Sequence, residues 1–134
     1  MLSVKESQLP LAGQGLWAQK DFKRKEIICK YEGEQVTWKE CQRRNEAQVG
    51  YGCYYLYINE RKCIDAQHTP WAIGRYANDA AGLSRIKKLR NNARYEIIKG
   101  EAYIVASRNI KNGEEIFVSY GRSYWNIISK TIEN

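Results

Sequence analysis

A chain of 134 residues has room for one domain with a modest core, and 43% hydrophobic residues with aromatics spread along the chain argue against disorder. No apolar run approaches the ~20 residues that cross a bilayer, and the N-terminus, with Lys5 and Glu6, lacks a signal-peptide core, so the expectation is a soluble intracellular protein without a membrane partner. The net charge of +7 favours anionic partners such as nucleic acid without establishing one.

In chain order, residues 1–12 read as an irregular lead-in. Gly13-Gln14-Gly15 follows, then an alternating, strand-like run from Leu16 to Gln19. The lone GxG is no dinucleotide fingerprint, since the third glycine and a crossover helix are missing, but it permits close backbone approach to a ligand. Asp21 to Glu26 is a polar turn, and Ile27 to Tyr31 a strand ended by Gly33. Thr37 to Gln48 reads as a helix, with Thr37 as N-cap and Glu40 completing a capping box. Gly50 and Gly52 end it. Cys53 to Ile58 is β-prone; Asn59-Glu60-Arg61 turns it back into Lys62 to Ala66 as a hairpin. Alternation sets Tyr54 and Leu56 on one face, Tyr55 and Tyr57 on the other.

Gln67 to Ile73 is a loop. Leu83 to Arg94 carries Arg85, Lys87, Lys88, Arg90 and Arg94, which either contact phosphates or are simply solvated. Arg94 to Ile98 and Glu101 to Ser107 form a second hairpin through Lys99-Gly100. Asn112-Gly113 is a turn signal before a short strand, Glu115 to Tyr120, which places a phenol just before the bend at Gly121. An amphipathic tail runs from Tyr124 to Ile132. The four cysteines, Cys29, Cys41, Cys53 and Cys63, lack a CxxC pair, and His68 is the sole histidine, so they read as free thiols and no metal site is expected. The sum is a mainly β single domain, with a core over about 13–125 and a short tail, 126–134.

Four separated segments occur in a fixed order: Gly13-Gln14-Gly15-Leu16-Trp17-Ala18, Tyr31-Glu32-Gly33-Glu34, Gly74-Arg75-Tyr76-Ala77-Asn78-Asp79 and Gly113-Glu114-Glu115-Ile116-Phe117-Val118-Ser119-Tyr120-Gly121. With Tyr55-Leu56-Tyr57 and Ile64-Asp65-Ala66 between them, the set resembles the SET-domain protein lysine methyltransferases. The resemblance implies several small β-sheets around a C-terminal pseudoknot, with short helices, the Arg75–Asp79 segment threaded against the one carrying Tyr120. It implies S-adenosyl-L-methionine as methyl donor, S-adenosylhomocysteine as product, and a lysine of a histone tail or other chromatin protein as substrate, hence a nuclear or chromatin-associated role. By that likeness Gly13, Gly15, Leu16, Trp17, Arg75, Tyr76, Asn78, Asp79, Tyr120 and Trp125 border the donor. Tyr120, Tyr31 and Tyr55 are the catalytic set. Tyr31, Tyr54, Tyr55, Val118 and Tyr120 line the lysine channel, with Tyr54 and Tyr55 as alternative registers.

The chain departs from the family pattern in places. Asp79 stands where the family commonly has histidine, and a basic insertion, Leu83 to Arg90, precedes Asn91-Asn92-Ala93. The usual cysteine-rich zinc segment is absent. Val118 replaces a Phe or Tyr that limits methylation state, leaving more room in the channel.

These residues suit methyl transfer to an amine. Free lysine, with a pKa near 10.4, must lose a proton before attacking, and a tyrosine-walled channel favours the neutral form by desolvation. Tyr120, with a normal pKa near 10, fits an oxygen acceptor better than a base. Two other readings compete: a SET-like binding module without turnover, suggested by Asp79, and a basic nucleic-acid-binding domain built on Arg85 to Arg94. Whether Glu32, Glu34, Glu40, Glu46, Glu114 and Glu115 converge as an acidic lip is left open.

Overall fold

A computed structural model describes residues 1–47, 55–81 and 86–120. Among them, three antiparallel three-stranded sheets carry the fold. The first has the order β1-β2-β9, from Leu2–Glu6, Gln14–Ala18 and Glu115–Ile116. The second is β3-β8-β7, from Ile27–Lys30, Glu101–Ala106 and Ala93–Ile98. The third is β4-β6-β5, from Glu34–Val36, Lys62–Asp65 and Tyr55–Asn59.

The middle strands explain why simple alternation fails as a guide. In β8, Ala102, Ile104, Val105 and Ala106 are all buried, and in β6 so are Cys63, Ile64 and Asp65. Both faces of these strands are covered. Leu16, Ile104, Ile116 and Val118 anchor the main core and are fully buried; each such aliphatic side chain contributes about 1.5–3 kcal/mol by leaving water.

Most local expectations hold. Lys99 and Gly100 both take positive φ, 51° and 78°, which gives the β7–β8 hairpin a turn whose twist matches its strands. Gly113 is left-handed at φ 94°. Helix α1 spans Trp38–Ala47. Thr37 Oγ1 caps it by accepting from the Glu40 amide at 3.2 Å. The other half of the capping box is not made, because the Glu40 carboxylate turns to Arg43 and Arg44.

Three differences stand out. Residues 2–6 are not an irregular lead-in; they pair along the whole of β2, from Leu2 opposite Ala18 to Glu6 opposite Gln14. This strand is polar and mostly exposed, so pairing with the edge of β2 forms it, and its own pattern does not announce it. Strand β4, three residues long, carries no sequence signal. The run Glu115 to Tyr120 is a regular strand only at Glu115–Ile116, because beyond it the chain enters a different partnership.

That partnership is a thread. Phe117 bridges Asn78 on one side, and Val118 bridges Ala93 on the other, both in parallel sense. The Val118 amide donates to the Asn78 carbonyl at 2.8 Å, while the amides of Asn92 and Ala93 both donate to the Phe117 carbonyl at 3.0 Å. The last segment thus runs between the two ends of the 78–93 excursion, which is the pseudoknot. Asn92, 1% exposed, pins it: its Oδ1 accepts from the Phe117 amide and its Nδ2 donates to the Glu115 carbonyl, each at 2.9 Å.

Candidate active site

Tyr120 leaves the thread held at two points by one short segment. Its backbone amide donates to Asp79 Oδ2 at 2.9 Å, and its hydroxyl donates to the Ala77 carbonyl at 2.6 Å. Between these anchors lies Asn78, whose Nδ2 donates to the Gln14 carbonyl at 2.9 Å. The Gly13–Gly15 loop, the 77–79 segment and the Tyr120 phenol are therefore tied together although they come from three remote parts of the chain.

An aromatic relay continues from Tyr120. The Tyr95 ring stacks beside it at 6.4 Å with 14° between planes, and Tyr31 meets Tyr95 edge-on at 5.6 Å and 89°. Tyr31 is almost fully buried and belongs to a second cluster with Ile64, Ala66 and Ala102. Sequence reasoning missed Tyr95. Its only signal is its place in the hairpin strand, on the same face as Ala93.

Asp79 is 5% exposed, and its carboxylate serves the protein. Oδ1 accepts from the Ala81 amide at 2.8 Å and from Asn91 Nδ2 at 2.9 Å, while Oδ2 holds Tyr120. Asn91 Oδ1 in turn accepts from the Ala80 amide. An aspartate here therefore works as an acceptor hub beneath the tyrosine.

The loop glycines differ in what they do. A Cβ at Gly15 would collide with the Glu115 carboxylate, and Ser7 Cβ would lie 3.2 Å away, so this glycine is required by internal packing. Glu115, itself buried, accepts from Ser7 Oγ at 2.6 Å and from the Gln8 amide at 2.9 Å. Gly13 has φ 73° and open space around its Cα. Leu16 is buried in the main core, leaving only its backbone to a ligand. Trp17 is half-buried, donates its Nε1–H to the Lys5 carbonyl and carries the Lys5 ammonium over its ring at 4.3 Å.

Arg75 lies over the Tyr76 ring at 5.1 Å, and the Tyr76 hydroxyl donates to the Pro70 carbonyl at 3.1 Å. Tyr55 opens β5 opposite Asp65. By strand alternation it shares a face with Tyr57, whose ring meets Trp38 at 4.9 Å, whereas Leu56 and Ile58 pack against the cluster holding Tyr31. Val118 is fully buried in the main core. Tyr54 and Trp125, expected in the channel and beside the donor, lie outside the described residues, as do Glu46's side chain, Arg85 and the 124–132 tail.

Charge around the site is mostly spoken for. Arg44 binds Glu34 at 2.9 Å, Asp65 at 2.7 Å and Glu40 at 3.3 Å. Bonding to Arg44 holds the Glu34 carboxyl below its usual range, and bonding to Arg43 first and Arg44 second takes Glu40 down to about 2. With Glu115 turned inward, three of the six acidic residues are committed to the protein itself. Burial, then the charge of Glu32, pushes the Cys29 thiol up to about 12, and burial likewise takes Cys41 to about 12. Both are neutral thiols at physiological pH, not nucleophiles.

The arrangement has the residues to hold an amino-acid sulfonium donor. Asn78 spends one amide proton on Gln14 and keeps an acceptor and a second donor for a ligand's ammonium and carboxylate. The open backbone at Gly13 stands beside it.

A family model for the SET domain matches residues 13–121. The chain is similar to the N-lysine methyltransferase KMT5A-B of Xenopus laevis, 31% identical over 115 residues that are 81% of this chain and 33% of the relative. It is also similar to the histone-lysine N-methyltransferase EZH2 of Chaetomium thermophilum, 29% identical over 96% of this chain and 9% of that protein. Among solved structures, "Structure of ctPRC2 in complex with H3K27me3 and H3K27M" aligns with a TM-score of 0.72 at 27% identity, covering 90% of this chain and 14% of that one. The chain spans about a third of the length of its KMT5A relatives. With the threaded 117–118 segment, the pinned tyrosine and the matched residues in agreement, the chain belongs to the SET-domain family.

Proposed function

We propose that this chain is a protein-lysine N-methyltransferase that transfers a methyl group from S-adenosyl-L-methionine to a lysine of a histone or other chromatin protein. One observation carries the reading: Tyr120, fixed at both its amide and its hydroxyl, sits where the Gly13–Gly15 loop and Asn78 meet a file of tyrosine rings leading to Tyr31. The names of the relatives, KMT5A, Set8 and EZH2, support the class of substrate. A chromatin location follows from that substrate.

The donor supplies an activated methyl on a sulfonium centre. The chain's part is to bind, orient and dry the site. Asn78 and the Gly13 backbone hold the amino-acid end, while Arg75, Tyr76, Asp79 and Trp125 border the rest. With its proton donated to Ala77, the Tyr120 phenol oxygen keeps acceptor character. It serves there as an acceptor for polarised C–H groups and not as a general base. Tyr31, with Tyr54 or Tyr55 as the second channel tyrosine, excludes water from the lysine and so favours the neutral amine. Holding that amine on the line of attack is where most of the barrier reduction arises, up to about 7–11 kcal/mol for an ideally oriented pair.

The test is to incubate the full chain with labelled donor and a panel of recombinant histones and cell extract, mapping products by mass spectrometry. Methyl-lysine that disappears with Tyr120→Phe supports the assignment. Donor binding without product across the panel counts for a binding module instead.

A further inference from the structure

A second feature lies away from Tyr120. A cleft of about 320 Å³ brings Lys88 and Arg90 together with Arg108, which the sequence places far from them. Gln8, Trp17, Asn92, Glu114 and Glu115 also line it. Of the residues assigned to the methyl donor, it shares only Trp17.

The charge in this cleft is net positive, Lys88, Arg90 and Arg108 standing against Glu114 and Glu115. All three cations are exposed. The Glu115 carboxylate, also at the wall, faces Ser7 and Gln8. Glu114 opposes the cations, at a long 3.9 Å from Arg108, and its other oxygen accepts from the Lys111 amide. Lys5 lies over the ring of Trp17. Arg94, by contrast, is taken up by Glu96 and the Ala106 carbonyl, so among the described members of the basic run it is set apart from Lys88 and Arg90.

We propose that this cleft is a docking surface for the phosphate backbone of duplex DNA. Cations from two separate segments on a fixed scaffold suit successive phosphates, which are recognised by charge and not by sequence. Single strands are a poorer match, because their binders offer aromatic platforms to stacked bases. Of the two aromatic residues at the wall, Phe117 is buried, and Trp17 is covered by Lys5 with its N–H bound. The proposal stands independently of the methyltransferase reading.

The experiment is fluorescence anisotropy of the full chain with a short labelled DNA duplex over a series of salt concentrations. Three phosphate contacts give a log–log slope near −2.7, so a fourfold rise in salt weakens binding roughly 40-fold. The triple variant Lys88→Ala/Arg90→Ala/Arg108→Ala should lose most of that slope. A matched variant, Arg24→Ala/Lys39→Ala/Lys99→Ala, removes three exposed charges elsewhere and should keep it. Equal losses in the two variants overturn the proposal, since net charge alone would then explain binding. Tighter binding of a single-stranded probe, or full competition by millimolar inorganic phosphate at constant ionic strength, overturns it as well. Methylation of a free peptide should be unchanged in the triple variant, which separates this surface from the candidate active site.

Discussion

Replacing Asp79 by Asn tests how the tyrosine is held. Among the described residues the carboxylate accepts three hydrogen bonds at 2.8–2.9 Å, two on Oδ1 and one on Oδ2. An Asn side chain keeps one oxygen, which can still serve Ala81 and Asn91. Its Nδ2 then faces the Tyr120 N–H, donor against donor, at a position 5% exposed. The loss is one charge-assisted bond plus a buried N–H left without an acceptor, about 1.5–3 kcal/mol. With a urea slope of ~1.5 kcal/mol/M, the unfolding midpoint should fall by about 1–2 M. Activity should fall further than stability, because a displacement of ~1 Å at a reacting group costs on the order of 100-fold. That loss should appear in kcat, with the KM for the donor changed little. Asp79→His, which installs the common family residue, should destabilise at least as much, since imidazole offers a single acceptor. An Asp79→Asn protein with a wild-type midpoint and a wild-type kcat refutes the account.

Tyr120→Phe removes the hydroxyl bond to Ala77 but keeps the ring against Tyr95; the fold should survive by circular dichroism while kcat drops at least 100-fold. Asn92→Ala breaks two buried bonds that pin the thread, and chemical denaturation should show a loss of roughly 2–4 kcal/mol. Val118→Phe should narrow the channel and shift products toward monomethyl-lysine, at a cost of about 1–3 kcal/mol for overpacking, both readable by mass spectrometry and thermal melts. In acid, Glu40 and Glu34 have folded pKa values below their unfolded ones, so their contribution is present above the unfolded value near 4.3 and fades as pH falls toward about 2. An Arg44→Gln variant should flatten that part of the stability–pH curve, and an unchanged curve would discount the Arg44 cluster.

What the sequence revealed follows from how local each signal is. Lys99-Gly100 and Thr37 announce a turn and a cap because the determining contacts lie within four residues. The ordered segments around Gly13, Asn78 and Tyr120 expose the family because each is short and chemically distinctive. Strand β1 escaped notice because its formation depends on a partner, β2, and its own residues are mostly polar. Tyr95 escaped because nothing local marks a tyrosine that bridges two others 64 and 25 positions away in the sequence. Asp79 looked like a lesion on comparison with the family. Only the positions of Asn91 and the Tyr120 amide reveal it as an acceptor for three donors.

The neighbouring residues Asn91 and Asn92 explain how one chain can carry both a precise site and a basic cleft. Asn91 secures Asp79 and the Ala80 amide, while Asn92 secures the thread. The excursion from 81 to 90 is therefore fastened at both ends by side chains that do not belong to it. Once the ends are fixed, lengthening such a loop costs little, about 0.6 kcal/mol for each doubling. Ile86 and Leu89 pack against Leu9, Ala80 and Phe117, and the exposed positions between and after them are free to follow a partner. Lys88 and Arg90 can accumulate there without disturbing Tyr120, because the bonds that position the phenol come from residues 77, 79 and 91–92. The double variant Lys88→Ala/Arg90→Ala should accordingly leave peptide methylation near wild type, whereas Asn91→Ala, which alters no charge and touches no ligand, should lower it by weakening Asp79. The reverse outcome would mean that the excursion itself, and not its fastened ends, shapes the site.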